Sequence, residues 1–328
     1  IGYEALFRQG FGRHNLWGQN IGTYVGDVGS DWHDNTKNFS MWLYDPDYTS
    51  TGVNSAVVPC RLAYTFGMIG PTMTFDTACS ASLYATHHAH MAMLNFDEWS
   101  MDTKGALVGG VNTVGPTGHV GNSQGNILTH TGRCFTFDEA ADGYQRGEGC
   151  GALYMRLGKK NDDRDNRLAA VVGTVSSHDG KSASLTAPSG PAQQVMLKHA
   201  IKFSGLGIEE ISFTECHGTG TALGDPIEMG AIAAVLLEER EEPLWHTTPK
   251  SNISHLESAA GLSGLLKMVL AGLHCAAPPN VHFKKLNPHV DMEGYPRLFQ
   301  TEIGDLCVNG CYAGASSFGF GGSNARCD

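Results

Sequence analysis

Charge is scarce in this 328-residue chain: only 17% of its residues are Asp, Glu, Lys or Arg, against 41% hydrophobic. That balance excludes a disordered or coiled-coil chain. Positive charge is scarcer still, with 22 Lys and Arg against 33 Asp and Glu and a formal net charge of −11. Nucleic acid and anionic membrane are disfavoured as main partners on that count. No apolar run is long enough to span a bilayer, and the longest, Gly264 to Ala277, is broken by Lys267 and His274. No CxxC occurs, and the one close pair, Cys307 and Cys311, has no second pair to complete a zinc site. Nine cysteines is an odd number. It predicts a reduced, intracellular protein, cytoplasmic or organellar (plastid included for a eukaryotic source), with thiols that are mostly small buried hydrophobes. No signal peptide is visible, and an opening on Ile1 in mid-pattern predicts a longer native polypeptide.

Glycine, by contrast, is abundant: 42 residues, or about one in eight. The excess clusters beside strand-like runs, where backbone turns sharply or approaches a ligand. The length suits two structural units or one α/β domain with internal halves. The first half closes on an apolar strand, Cys150 to Leu157, and a charged loop follows, Gly158 to Arg167. A β-branched run, Ala169 to Val175, then reads as a buried strand. The division falls at residues 1–160 and 161–328.

Four junctions carry most of the chemistry. In residues 71–94, Thr72, Thr74 and Asp76 alternate with Met73, Phe75 and Thr77 as a period-two strand, and small residues run on into a helix. Cys79 then sits at a strand-to-helix turn, where free N–H groups and the macrodipole favour a thiolate. The segment alone is equally compatible with a buried structural cysteine. In residues 211–240 a strand ends at Cys216 and His217 opens a glycine-rich loop with Thr219 and Thr221. Asp225, Pro226 and Glu228 have the spacing of a helix N-cap, N1 proline and capping-box acid, which assigns both acids to structure. In residues 247–273, Ser254 and Glu257 also have capping-box spacing, placing His255 in a first helical turn as a neutral donor, with Lys250 five residues earlier. In residues 311–325, Gly319, Gly321 and Gly322 surround Phe318 and Phe320, so backbone amides can face a ligand.

Together these stretches resemble the β-ketoacyl synthase family of the thiolase-like superfamily, closest to the ketosynthase domains of type I polyketide and fatty acid synthases. The resemblance rests on DTACSASL around Cys79, RCFTFDEAADGYQRGEGCGAL from Arg133, DGKSASLTAPSGPAQQ from Asp179, ECHGTGTALGDPIE around His217, KSNISHLESAAG around His255, and SSFGFGGSNA near the end. It implies an α/β, thiolase-like fold of two similar βα halves in αβαβα layers, with the start of the first half and a last apolar strand absent. It also implies a decarboxylating condensing enzyme. Cys79 would take the acyl chain, His217 and His255 would assist decarboxylation of a malonyl-type extender, and Lys250 would hold the site electrostatically. Thr219 and Thr221 would bind the phosphopantetheine arm of an acyl carrier protein. The N–H groups of Cys79 and Phe320 would form the oxyanion hole, with Phe318 as an acyl gate.

The resemblance further implies a homodimer paired along the strand Pro71 to Thr77, other synthase domains as partners, and no tightly bound cofactor or metal. The family's glycine before the second histidine is Ser254 here, and the loop from Thr113 to Thr131 departs from the pattern. His87, His88 and His90 do not promise a metal site, because only the 87/90 pair shares a helix face and no carboxylate is suitably placed. Asp138 and Asp142 are expected in a structural loop. A thiolase acting on coenzyme A thioesters would want a second cysteine where Phe318–Phe320 stands, and a non-catalytic scaffold would have lost Cys79.

Overall fold

The computed structural model describes residues 1–29, 31–32, 49–94, 103, 105–158, 167–306 and 312–328. The charged loop after Gly158, the boundary at 160/161, Cys307 and Cys311 lie outside the described residues.

Two sheets carry the chain. The first joins β1 (Ile21–Asp27), β2 (Thr72–Phe75), β3 (Gly105–Asn112) and β4 (Gly149–Met155) in the order β2-β1-β3-β4. β1 runs parallel to β2 and β3, and β4 is antiparallel to β3. The second sheet takes β5 (Thr174–His178), β6 (Ile211–Glu215), β7 (Leu244–Thr247), β9 (Arg297–Leu298), β11 (Tyr312–Phe318) and β12 (Ser323–Cys327) in the order β5-β12-β11-β6-β7-β9. Its β7-β6-β11-β12 segment repeats the pairing of the first sheet, two parallel contacts and then an antiparallel one. A small antiparallel ribbon pairs β8 (Ala276–Ala277) with β10 (Gly304–Asp305).

Helices complete the layers. α1 (Gly2–Arg8) and α2 (Val57–Phe66) pack on the first sheet, while α3 (Ala81–Leu94) contacts β1 and β3 on one side and β12 on the other. Such a helix must be apolar nearly all round, and Ala81, Leu83, Ala85, Ala89 and Met93 are buried accordingly. α4 (Pro116–Gln124) follows β3, and α5 (Gly190–Ser204) covers β5 and β12. α6 (Gly224–Ile232), α7 (Lys250–Ile253) and α8 (Ala260–His274) come last, with α8 touching β11, β3 and α3. β1 approaches the start of α3 so closely that a Cβ at Gly26 would lie 2.5 Å from Ser82 N. Only glycine permits that approach.

Four expectations need correction. The run Ala169 to Val175 becomes a strand only from Thr174, because the N–H groups of Val172 and Gly173 go to the Asp328 carbonyl. The segment Thr113 to Thr131 is not all loop: Pro116 starts a helix whose residues are all at least partly exposed, so no core pattern marks it. Where the resemblance implied that a strand is absent, Ser323–Cys327 form one, with Ala325, Arg326 and Cys327 buried. Among the described residues the thiols are not mostly buried either, since Cys60, Cys150 and Cys275 are exposed, Cys79 is half-buried, and Cys134, Cys216 and Cys327 are inside.

Candidate active site

Cys79 occupies a one-turn 3₁₀ helix, Ala78–Ser80, between β2 and α3. Ala78 is held at φ 51°, a sharp turn that presents the next residue. The turn is tied to the other half of the chain. Ser317 Oγ donates to the Cys79 carbonyl at 2.6 Å, and Ser80 Oγ donates to the Ser323 carbonyl at 2.7 Å. The glycine loop between β11 and β12 comes in so tightly that a Cβ at Gly319 would meet the Thr77 carbonyl at 2.4 Å. That approach brings the N–H of Phe320 to the Cys79 sulfur beside the N–H of Cys79 itself. The ring of Phe320 is largely exposed.

His217 and His255 face the same point from separate loops. The Cys79 sulfur and one ring nitrogen of each imidazole all lie within 4.8 Å of one another. The rings of His217 and His255 meet edge to face at 5.5 Å, and Phe318 packs on His217 at 5.5 Å. His217 follows β6, and its N–H and that of Gly218 donate to the two oxygens of Glu228 at 2.6 and 2.8 Å. Lys250 Nζ, buried at the start of α7, lies 3.5 Å from His217 Nδ1. His255 N–H donates to the Gln145 carbonyl and Gly147 N–H to the His255 carbonyl, both at 2.8 Å. Glu257 N–H donates to His255 Nδ1 at 3.0 Å. Both Nδ1 atoms therefore face donors, so the ring proton of each histidine belongs on Nε2.

Burial sets the protonation states. It holds both imidazoles well below the usual histidine range, and the Lys250 charge pushes the same way. Burial also pushes the Cys79 thiol up to about 12, with Glu257 adding to the rise; Lys250 and the N–H groups of Cys79 and Phe320 oppose it. The thiolate expected from the helix terminus is thus not the resting form, because desolvation outweighs the local dipoles. Lys250 is itself lowered by burial, with Glu228 opposing the shift. Glu228 rises to about 7 and Asp225 to about 6, both chiefly by desolvation.

The capping-box expectations both fail in geometry. α6 begins at Gly224, one residue before Asp225, and Asp225 instead accepts from Phe137 N–H at 2.8 Å and Gly220 N–H at 3.1 Å. Glu228 clamps the His217 loop rather than a helix start. Ser254 terminates α7 at φ 66°, ψ 179°, and His255 lies in a bridge with Arg146, ahead of the 3₁₀ turn Glu257–Ala259 and α8. The spacing was compatible with a helix start, but the positive φ at Ser254 and Glu257 breaks the helical path.

The remaining positions sort plainly. Thr219 and Thr221 face each other, Oγ1 to Oγ1 at 3.0 Å, on the His217 loop. Asp138 accepts from Lys284 N–H at 2.7 Å, Lys285 N–H at 3.0 Å and Ala140 N–H at 2.9 Å, and Asp142 from His130 N–H at 3.2 Å; both organise loops. His87 and His90 share Thr174 Oγ1 through Nδ1 at 2.9 Å each, and His88 stacks on Phe75 at 4.8 Å. Among the described residues the one cluster with metal-ligand proximity is Cys79, His217 and His255. Its donor set does not fit a cation: both Nε2 atoms carry protons, and the Lys250 charge lies alongside. The sequence reading missed the role of Arg146, whose guanidinium binds Glu257 and Asp31 inside the protein. A lone arginine in a glycine-rich stretch, Gly143 to Gly151, was the available signal.

The family profile described as "Beta-ketoacyl synthase, N-terminal domain" matches residues 1–161, and "Beta-ketoacyl synthase, C-terminal domain" matches residues 168–284. Highly reducing polyketide synthase 40 of Fusarium pseudograminearum is 37% identical over 341 residues, which cover 99% of this chain and 13% of that protein. The spectinabilin polyketide synthase system protein NorC of Streptomyces orinoci is 37% identical over 336 residues, or 99% of this chain and 14% of that protein. Among solved structures, the ketosynthase from module 6 of the bacillaene synthase of Bacillus subtilis 168 superimposes with a TM-score of 0.86 at 31% identity, covering 99% of this chain and 57% of that one. The chain thus spans about an eighth of these curated relatives and over half of the solved domain. It belongs to the β-ketoacyl synthase family and has the thiolase-like fold of polyketide synthase ketosynthase domains.

Proposed function

We propose that the chain is a condensing enzyme of polyketide assembly, joining a Cys79-bound acyl chain to a malonyl-type extender with loss of CO₂. The observation that carries this is the convergence of the Cys79 sulfur and one ring nitrogen of each imidazole within 4.8 Å, with both Nδ1 atoms facing donors so that each ring has its N–H at Nε2. In the first half-reaction the Cys79 sulfur attacks an acyl thioester. The N–H groups of Cys79 and Phe320 receive the oxyanion, and the carrier's thiol leaves with the proton that Cys79 gives up. In the second, the bond from the extender's α-carbon to its carboxylate breaks and CO₂ departs. His217 and His255 donate to the enolate oxygen, and the α-carbon attacks the Cys79 thioester, returning the sulfur.

In this reading Thr219 and Thr221, neighbours on the His217 loop, meet a phosphopantetheine arm, and an acyl carrier protein is the donor of both substrates. Phe318, packed on His217, acts as the gate on the acyl side. The halves 1–160 and 161–328 supply the nucleophile and the decarboxylation donors respectively. A thiolase reading lacks support, since Phe318–Phe320 stands where its second cysteine would be and Cys327 is buried. The retained Cys79 argues against a silent scaffold. A mass-resolved loading assay with several acyl-carrier thioesters tests the proposal: acyl adducts are expected on Cys79 and should vanish in Cys79→Ala. Loading that persists in that variant would refute it.

A further inference from the structure

Beneath the histidines lies a buried set of charges that the condensation chemistry leaves unused. Asp31, Arg146 and Glu257 are 3%, 6% and 7% exposed and come from three separate parts of the chain. Arg146 grips both oxygens of Glu257, Nε to Oε1 and Nη2 to Oε2 at 2.7 Å each, and its Nη2 also reaches Asp31. Tyr144 donates its hydroxyl to Glu257 Oε1 at 3.3 Å, and Gly115 N–H donates to Asp31 at 3.1 Å. Two carboxylates share one guanidinium, so one negative charge is left over where screening is weak.

The set is wired to His255. Glu257 adopts φ 43°, a left-handed conformation that persists in a non-glycine residue only when its surroundings impose it. The forked grip of Arg146 imposes it, and in that conformation the Glu257 N–H meets His255 Nδ1 at 3.0 Å. The Tyr144 ring packs against the His255 ring at 4.8 Å, and the backbone around Arg146 bridges that of His255. The Glu257 charge is also felt at Cys79, against that of Lys250.

We propose that Glu257 is a positioning residue: clamped by Arg146, Asp31 and Tyr144, it fixes His255 as an Nε2–H donor and sets its charge against Lys250 at the Cys79 sulfur. The part concerning decarboxylation rests on the function proposed above, and the part concerning the sulfur does not. The titratable and charged groups facing Cys79 are Lys250 from α7, His217 from the loop after β6, His255 and Glu257 from the turn before α8, and Tyr144. Removing the Glu257 charge leaves Lys250 unopposed, so the thiol becomes more acidic.

Two variants test this, each first shown by its melting curve to fold. Glu257→Gln removes the charge and keeps an oxygen for Arg146. Alkylation of Cys79 by iodoacetamide, followed by mass spectrometry against pH, should shift to lower pH in this variant. At pH 8 it should run about three- to tenfold faster, one pKa unit being tenfold. Release of CO₂ from a malonyl thioester should fall about tenfold in kcat with KM nearly unchanged. Arg146→Lys keeps a positive charge and loses the fork; it should depress CO₂ release without the acid shift in alkylation. An unmoved alkylation profile in folded Glu257→Gln overturns the proposal, as does wild-type CO₂ release by folded Arg146→Lys. A wild-type chain that releases no CO₂ while Glu257→Gln still shifts the alkylation profile would refute the condensing activity and leave the charge placement standing.

Discussion

At the scale of single residues, burial decides more than local sequence does. Cys79, His217, His255 and Lys250 were legible because each lies in a short run whose residue types are tied to its turn. Their protonation states were not legible. A helix-terminal cysteine reads as a thiolate from sequence, yet desolvation pushes the thiol up to about 12. Glu228 shows how the same force acts on a carboxylate. It rises to about 7, so near neutrality it exchanges a proton while holding the N–H groups of His217 and Gly218. The ionised form accepts both N–H groups best, and that form is lost as pH falls through about 7. CO₂ release from a malonyl thioester should therefore decline on the acid side of about 7. In Glu228→Gln it should be about tenfold lower at pH 8, with the acid decline gone. A steady-state pH profile of both proteins checks this, and an acid limb that persists in the variant would assign the titration elsewhere.

At the scale of elements, spacing rules predicted existence well and backbone path poorly. β2, α3 and β6 fall close to where the sequence patterns place them, whereas α8 starts only at Ala260, after the His255 that the capping spacing put in its first turn. Capping-box spacing misled twice because it presumes a helical backbone between its two ends. At Ser254 the backbone sits at φ 66°, ψ 179°, a region open almost only to glycine. Glycine at this position should relieve that strain. Ser254→Gly is expected to stabilise the fold by ~1 kcal/mol, net of glycine's greater freedom in the unfolded chain. Differential scanning calorimetry would register it as a rise in Tm of about 2 °C. An equal or lower Tm would mean that the turn after α7 is not strained. The ion pairs of Arg146 were out of reach of any local rule, since its partners lie 111 and 115 residues away.

At the scale of the whole molecule, the repeated pairing order of the two sheets explains why one chain can bring Cys79, His217 and His255 to a common point. In each half a parallel strand leads into a site residue, Cys79 after β2 and His217 after β6. α3 and α8 pack between the sheets and fix the distance between them. This architecture also leaves β2 at the edge of its sheet, with Met73 45% exposed. An open edge beside the nucleophile turn invites pairing with a second copy. Sedimentation at micromolar concentration should give a dimer, and Met73→Arg should weaken it while the monomer stays folded. A well-folded wild-type monomer under those conditions would remove β2 as the dimer edge.

The central claim is a division of labour: the sulfur of Cys79 carries the acyl chain, and His217 with His255 carries the enolate. Radiolabelled acyl loading and labelled CO₂ release, measured side by side on the same variants, test it most directly. Cys79→Ala should abolish loading and condensation while malonyl-thioester decarboxylation persists. His217→Ala and His255→Ala should each lower CO₂ release by about 10²–10³, the usual cost of one positioned donor, while retaining acyl loading to different degrees. Condensation by Cys79→Ala, or wild-type CO₂ release by both histidine variants, would contradict the account.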